Sequence, residues 1–178
     1  MKKVFNGVNF GMEKYLRETK MLDYSSKNIQ ERNWNDIEVF ERLKSIYNFV
    51  RDEILFGYNI DDNISASKVL ADGYGQCNTK GTLFMALLRA CNIPCRVHGF
   101  TIDKKLQKGA MTGIVYKNAP QNVFHSWVEV NFEDKWYELE AFILDMEYLR
   151  KMQRKNSHCT GAFCGYGVAV KDFKNPII

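Results

Sequence analysis

The chain has no long apolar run. Its first residues, Met1-Lys2-Lys3-Val4-Phe5-Asn6-Gly7, carry basic side chains without the continuous apolar stretch of a signal peptide, and Leu83 to Leu88 is cut at Arg89, far short of a membrane span. A soluble, cytoplasmic protein with no membrane partner is expected. Proline is scarce, three in 178 residues, and no internal repeat is present, which argues against collagenous and disordered classes. Nor does one charge dominate: 25 Lys and Arg stand against 21 Asp and Glu, a formal net charge of +4. The basic residues are dispersed apart from Lys104-Lys105 and the stretch Arg150 to Lys155, with no basic and aromatic interleaving. They read as solvated faces, and nucleic acid is not expected as a partner.

Five cysteines, an odd number, cannot all pair within one chain, so reduced thiols are expected. Cys91-x3-Cys95 and His158-Cys159-x4-Cys164 lack the tight Cys-x2-Cys knuckle of a zinc site and read as core or incidental thiols. Asp61-Asp62-Asn63 lacks the spacing and terminal Glu of an EF-hand, and the glycines at 161, 165 and 167 are not followed by the Lys-Ser/Thr of a phosphate loop. No metal or cofactor is called for.

What is present is an ordinary globular composition, 46% hydrophobic and 26% charged, sufficient for one domain over residues 1–178 with its core in roughly residues 35–156. Ile37, Phe40, Leu43, Ile46, Val50 and Ile54 fall at helical spacing, and Asn35 with Glu38 resembles a capping box. An earlier helix is read over residues 9–20, with Met12, Tyr15, Leu16 and Thr19 on one face. Residues 57–75 are polar and turn-rich and read mostly as loop. Leu83, Phe84, Leu87, Leu88 and Cys91 then mark a buried central helix from Cys77 to Cys91, which Asn92-Ile93-Pro94 ends. Afterwards the period shortens toward two: 95–102, 123–132 and 135–141 read as strands, with Glu133-Asp134 as a hairpin turn. The polar segment 103–122 reads as a long loop bordering a cleft, 145–155 as a final helix and 159–178 as turn and strand. Helices first and an antiparallel sheet after them make the class α+β.

The chemistry gathers at Gly75-Gln76-Cys77-Asn78 and, 48 residues on, at Phe124-His125-Ser126-Trp127. A cysteine is a nucleophile as its thiolate, and the first turn of a helix favours negative charge because its N–H groups are unpaired. Taken alone, Cys77 would be a small buried hydrophobe; a histidine base changes that reading. Alternation puts His125 with Trp127 and Glu129, away from the apolar side of its strand. Across a hairpin whose loop has an even number of residues, an odd index sum means a shared face, and His125 with Glu140 satisfies this. A carboxylate there would orient the imidazole, so Glu140 is the candidate third member, with Glu138 and Asp145 in reserve. The Cys77 N–H is the natural oxyanion donor, and Tyr58 and Gln76 are candidates for a second.

Gly75-Gln76-Cys77, Leu83 to Arg89, Ile93-Pro94-Cys95-Arg96-Val97, Gly99-Phe100, His125-Ser126-Trp127-Val128-Glu129-Val130 and Trp136 to Glu140, in this order, resemble the transglutaminase-like superfamily over roughly residues 65–145. The resemblance implies a papain-like core, with a nucleophile helix packed on an antiparallel sheet that supplies base and acid. It carries the nucleophile to Cys77 and the base to His125. The match departs at the third position, where Glu140 stands in place of the usual Asp. The implied activity is attack on an amide or peptide bond through a Cys77 thioester, as peptidase, amidase or acyltransferase, with a peptide or protein as substrate. A non-catalytic peptide-binding module that keeps the fold is the alternative.

Overall fold

The computed structural model describes residues 11–32 and 34–176. Helix α1 (Lys27–Gln30) is a single turn that buries Ile29, and α2 (Val39–Asp52) buries Ile46 and Val50. The capping-box reading places the start of α2 too early, since Glu38 is its N-cap and makes no side-chain cap bond. The approach is organised by Arg42 instead, whose guanidinium donates to the carbonyls of Trp34, Asn35, Ile37 and Cys91. Ile37 and Phe40 are consequently exposed, and the Phe40 ring rides on Phe132, 5.9 Å away, rather than entering the core. The helix read over 9–20 is also corrected. Within its described part only a 3-10 turn forms, Glu13–Tyr15, which buries nothing.

The segment read as loop contains more order than its polarity predicts. Strand β1 (Leu55–Phe56) pairs in parallel with β2 (Tyr74–Gly75), and between them lies α3 (Ala66–Asp72). Ser65 caps α3 through the Lys68 N–H, and Gly73 ends it in the left-handed conformation (φ 72°). Ala66 and Val69 are its only fully buried apolar residues, too few to show a helical period.

Helix α4 (Cys77–Ala90) is the centre of the molecule, buried at every residue from Thr79 to Leu88. Each buried Leu or Phe of this helix contributes roughly 1.5–3 kcal/mol. Its companion is the antiparallel sheet of β3 (Cys95–Asp103), β4 (Asn122–Phe132) and β5 (Lys135–Leu139), in the order β3-β4-β5. Val128 and Val130 of β4 turn inward, and Val128 approaches α4 at Gly81. The β4–β5 turn is the two-residue Glu133-Asp134, both left-handed (φ 50° and 61°), which suits the twist of a hairpin. Lys80 is the exception in this apolar interior. It has no exposed surface, and its Nζ donates to the carbonyls of Ile54 (2.6 Å) and Arg51 (3.3 Å) at the end of α2. Burial pulls its pKa down to about 7, against the opposing pull of the Asp145 and Asp52 carboxylates.

Beyond the sheet, 103–122 holds a 3-10 turn, Lys104–Gln107, and α5 (Gly113–Asn118), which buries no residue. Helix α6 (Met146–Lys155) starts at Asp145, whose Oδ1 accepts from the Tyr148 N–H at 2.6 Å. With the hairpin of β6 (Phe163–Gly165) and β7 (Val168–Val170) it encloses a smaller cluster of Leu149, Met152, Val168 and Phe173. Among the described residues no helix is long and apolar enough to cross a membrane.

Candidate active site

Cys77 is the first residue of α4 and is partly buried. The chain reaches it through a turn with no spare volume. A Cβ on Gly75 would lie 2.6 Å from Thr79 Oγ1 and 3.0 Å from Lys80 Cγ, and hydrogen bonds fix both neighbours. Gly75→Ala is therefore expected to cost ~1–3 kcal/mol of stability by overpacking, read as a lowered midpoint in urea unfolding.

The residues on either side of Cys77 are held by one carboxylate. Asp62 accepts from Gln76 Nε2 through one oxygen and from Asn78 Nδ2 through the other, the latter at 2.7 Å. Gln76 Oε1 in turn accepts from the Asn59 N–H (2.8 Å), and Asn59 Oδ1 accepts from the Thr79 hydroxyl (2.6 Å). Asn78 turns its Oδ1 toward Ser126 Oγ (2.8 Å) and toward the Cys77 sulfur (3.7 Å). Segment 59–62 is thus tied to the start of α4 and through Asn78 to β4. Sequence reasoning missed these partners. The acidic-amide cluster at 61–63 was legible as a turn, but nothing in it points to contacts 14 and 16 residues away.

His125 is 6% exposed, and its Nε2 pairs with Glu140 Oε1 at 2.7 Å. Glu140 is half-exposed and stands just past β5, at the start of a 3-10 turn, Ala141–Ile143. The second ring nitrogen, Nδ1, is buried and lacks an ordinary hydrogen-bond partner among the described residues, while the Cys77 thiol is close enough to act on the ring. Burial disfavours the imidazolium, but contacts with Cys77 and Glu140 together outweigh it and the pKa is pushed up to about 9.

The strand face that carries His125 is less open than its alternation with polar residues predicts. Cross-strand partners cover it: Phe100 meets the His125 ring edge-on at 5.1 Å and packs on Trp127 at 4.2 Å, and His98 stacks on Trp127 at 4.8 Å. Glu129 is buried beneath, accepting from Arg96 and paired with His98, and these partners outweigh burial to hold its carboxyl below the usual range. Arg96 lies over the Trp136 ring at 4.2 Å. Phe100 is thus a wall of the site that strand alternation alone does not point to.

Of the reserve carboxylates, neither takes the position of Glu140. Glu138 is exposed on β5 opposite Glu129, and Asp145 is buried with its oxygens engaged by the N–H groups of Phe56 and Tyr148. Of the two oxyanion candidates, Gln76 has its amide nitrogen committed to Asp62. Tyr58 is half-exposed and donates to Gln107 Oε1 at 3.1 Å, and burial together with the nearby Cys77 raises its pKa. Cys91 and Cys95 are core residues, and among the described residues no three His, Cys, Asp or Glu side chains are placed to hold a metal ion.

The family profile of the transglutaminase-like superfamily matches residues 26–141, from α1 to the turn behind Glu140. The chain belongs to the transglutaminase-like superfamily. Its fold is also that of a solved structure, a candidate cysteine protease from Cytophaga hutchinsonii, with a TM-score of 0.59 at 20% sequence identity over 78% of this chain. The chain spans 44% of that protein's length. No curated protein sequence matches it. The α+β architecture expected of a transglutaminase-like protein, a central helix on an antiparallel sheet, is therefore present.

Proposed function

We propose that this transglutaminase-like protein is a thiol enzyme that cleaves or transfers amide or peptide bonds through an acyl-thioester on Cys77. The observation that carries the reading is the His125 ring, tied to Glu140 on Nε2 and left open on its buried Nδ1 beside Cys77. With Nε2–H directed at Glu140, Nδ1 is the atom that takes the thiol proton, giving a thiolate and an imidazolium. The sulfur then bonds to the substrate carbonyl carbon, and the electron pair of the C=O moves onto oxygen. The Cys77 backbone N–H receives that oxyanion. Collapse expels the amine, which takes the His125 proton, and leaves the thioester. Water completes a hydrolysis; an amine completes a transfer.

Intact mass spectrometry after incubation with a panel of peptides, glutamine-containing proteins and electrophilic peptide analogues is the test. A mass gain on the wild-type chain that is absent from Cys77→Ala is expected. A wild-type chain that forms no adduct and whose Cys77 alkylates no faster than an ordinary thiol overturns the reading.

A further inference from the structure

A cavity of about 450 Å³ opens between the 108–116 segment and the β6–β7 turn, within the usual size of small-molecule sites. Tyr116 and Tyr166 line it together with Met111 and Lys108. Its floor is built closely: the Tyr166 ring lies on Gly109, where a Cβ would come within 2.4 Å of it, and the Tyr166 N–H donates to the Lys108 carbonyl at 2.8 Å. Each tyrosine carries an ammonium. Lys104 Nζ sits 5.3 Å from the Tyr116 centroid, and Lys155 Nζ sits 4.9 Å from that of Tyr166 and donates to its hydroxyl at 3.2 Å. None of the residues lining the cavity is Asp or Glu.

The segment that forms the cavity is tied to the Cys77 site by hydrogen bonds. The Asn59 N–H donates to Gln76, the residue before Cys77, the neighbouring Tyr58 hydroxyl donates to Gln107, and Gln107 is followed directly by the lining residue Lys108. We infer that the cavity is a substrate subsite that accepts a large apolar or aromatic side chain flanked by acidic residues, on a peptide extending from the Cys77 cleft. This rests on reading Cys77 as the acyl-forming nucleophile. Apolar walls and tyrosine rings remove water from an aromatic side chain. Three ammonium groups with no lining carboxylate give a positive field that favours acidic flanks and opposes basic ones.

The test uses the full chain as Cys77→Ala, so that binding is measured without turnover. Fluorescein-labelled Gly-Glu-Phe-Gln-Glu-Gly is compared by polarisation with a version carrying Ala for Phe and a version carrying Lys for both Glu. The Phe and Glu peptide is expected to bind about tenfold tighter than either, and Lys108→Glu and Tyr116→Ala each to remove most of that preference. Added salt should weaken the acidic peptide selectively, a readout independent of whether the variants fold. Equal binding of the three peptides, or a preference untouched by Lys108→Glu in a folded protein, overturns the subsite. Alkylation of Cys77 in the wild-type chain separates the two failures. Fast labelling with indifferent peptide binding sinks the subsite alone, and an ordinary thiol with selective peptide binding sinks the enzyme reading alone.

Discussion

His125→Ala is expected to slow turnover by ~10²–10⁴-fold, the usual weight of a positioned acid and base. Labelling of Cys77 by iodoacetamide isolates the first half of that effect. If His125 holds the proton and the sulfur the charge, the wild-type sulfur is reactive at neutral pH. Without the imidazole an ordinary thiol has only a few per cent of its thiolate at pH 7, so labelling should fall roughly thirtyfold there. The difference should shrink toward alkaline pH, where any thiol ionises. Glu140→Gln should have a smaller effect, because an amide can still accept from Nε2 but no longer stabilises the positive ring. Labelling of His125→Ala at the wild-type rate at neutral pH would rule out the proposed pair.

Lys80→Ala is expected to cost ~2–4 kcal/mol in urea unfolding, since it removes a long buried side chain and leaves two carbonyls at the end of α2 without this partner. The pH dependence is more diagnostic. Lys80 has a folded pKa of about 7 against an ordinary 10.5, so between these values the unfolded chain holds more protons and stability rises with pH. His125 has the opposite sign. Raised from 6.5 to about 9, its contribution is fully present below 6.5 and is lost as pH rises through 9. The two oppose each other between pH 7 and 9. Lys80→Met, which keeps much of the volume and removes the titration, should therefore shift the dependence toward a fall in stability with pH over that window, and His125→Gln toward a rise. Variants whose stability tracks the wild type across the window would show that neither group is shifted as described.

The parts of the fold that repeat a pattern were legible in the sequence. Leu83, Phe84, Leu87 and Leu88 announce α4 because a helix buried on many sides needs apolar residues at successive turns. The β4–β5 hairpin was legible because Glu133-Asp134 interrupts two strand-like runs, and the shared face of His125 and Glu140 follows for any even-numbered loop there. Short elements were not: α3 has seven residues and α5 six, less than two turns each; α3 is marked by its Ser65 cap and Gly73 end, and α5 has no side-chain cap and buries no residue that could show a period. The two ends of the candidate site were legible as residue types in order, whereas its supports were not. Asp62 reads as a solvated turn residue and Lys80 as a surface cation until the fold places their partners, and no local pattern encodes a contact with a carbonyl 26 residues earlier. Glu140 was found by parity, yet it lies beyond the end of β5, where strand rules stop.

That location changes what holds the acid in place. Glu140 belongs to no regular element, but Phe142 and Ile143, two and three residues after it, are both buried, the former completely, with Phe142 packed 4.8 Å from Phe84 of α4. The chain is thus nailed down on both sides of Glu140, by the β5 ladder before it and by an aromatic anchor two residues after it. The backbone beneath the carboxylate is a short bridge between two fixed abutments, so the added reach of Glu over Asp is set against a rigid base rather than a loose corner.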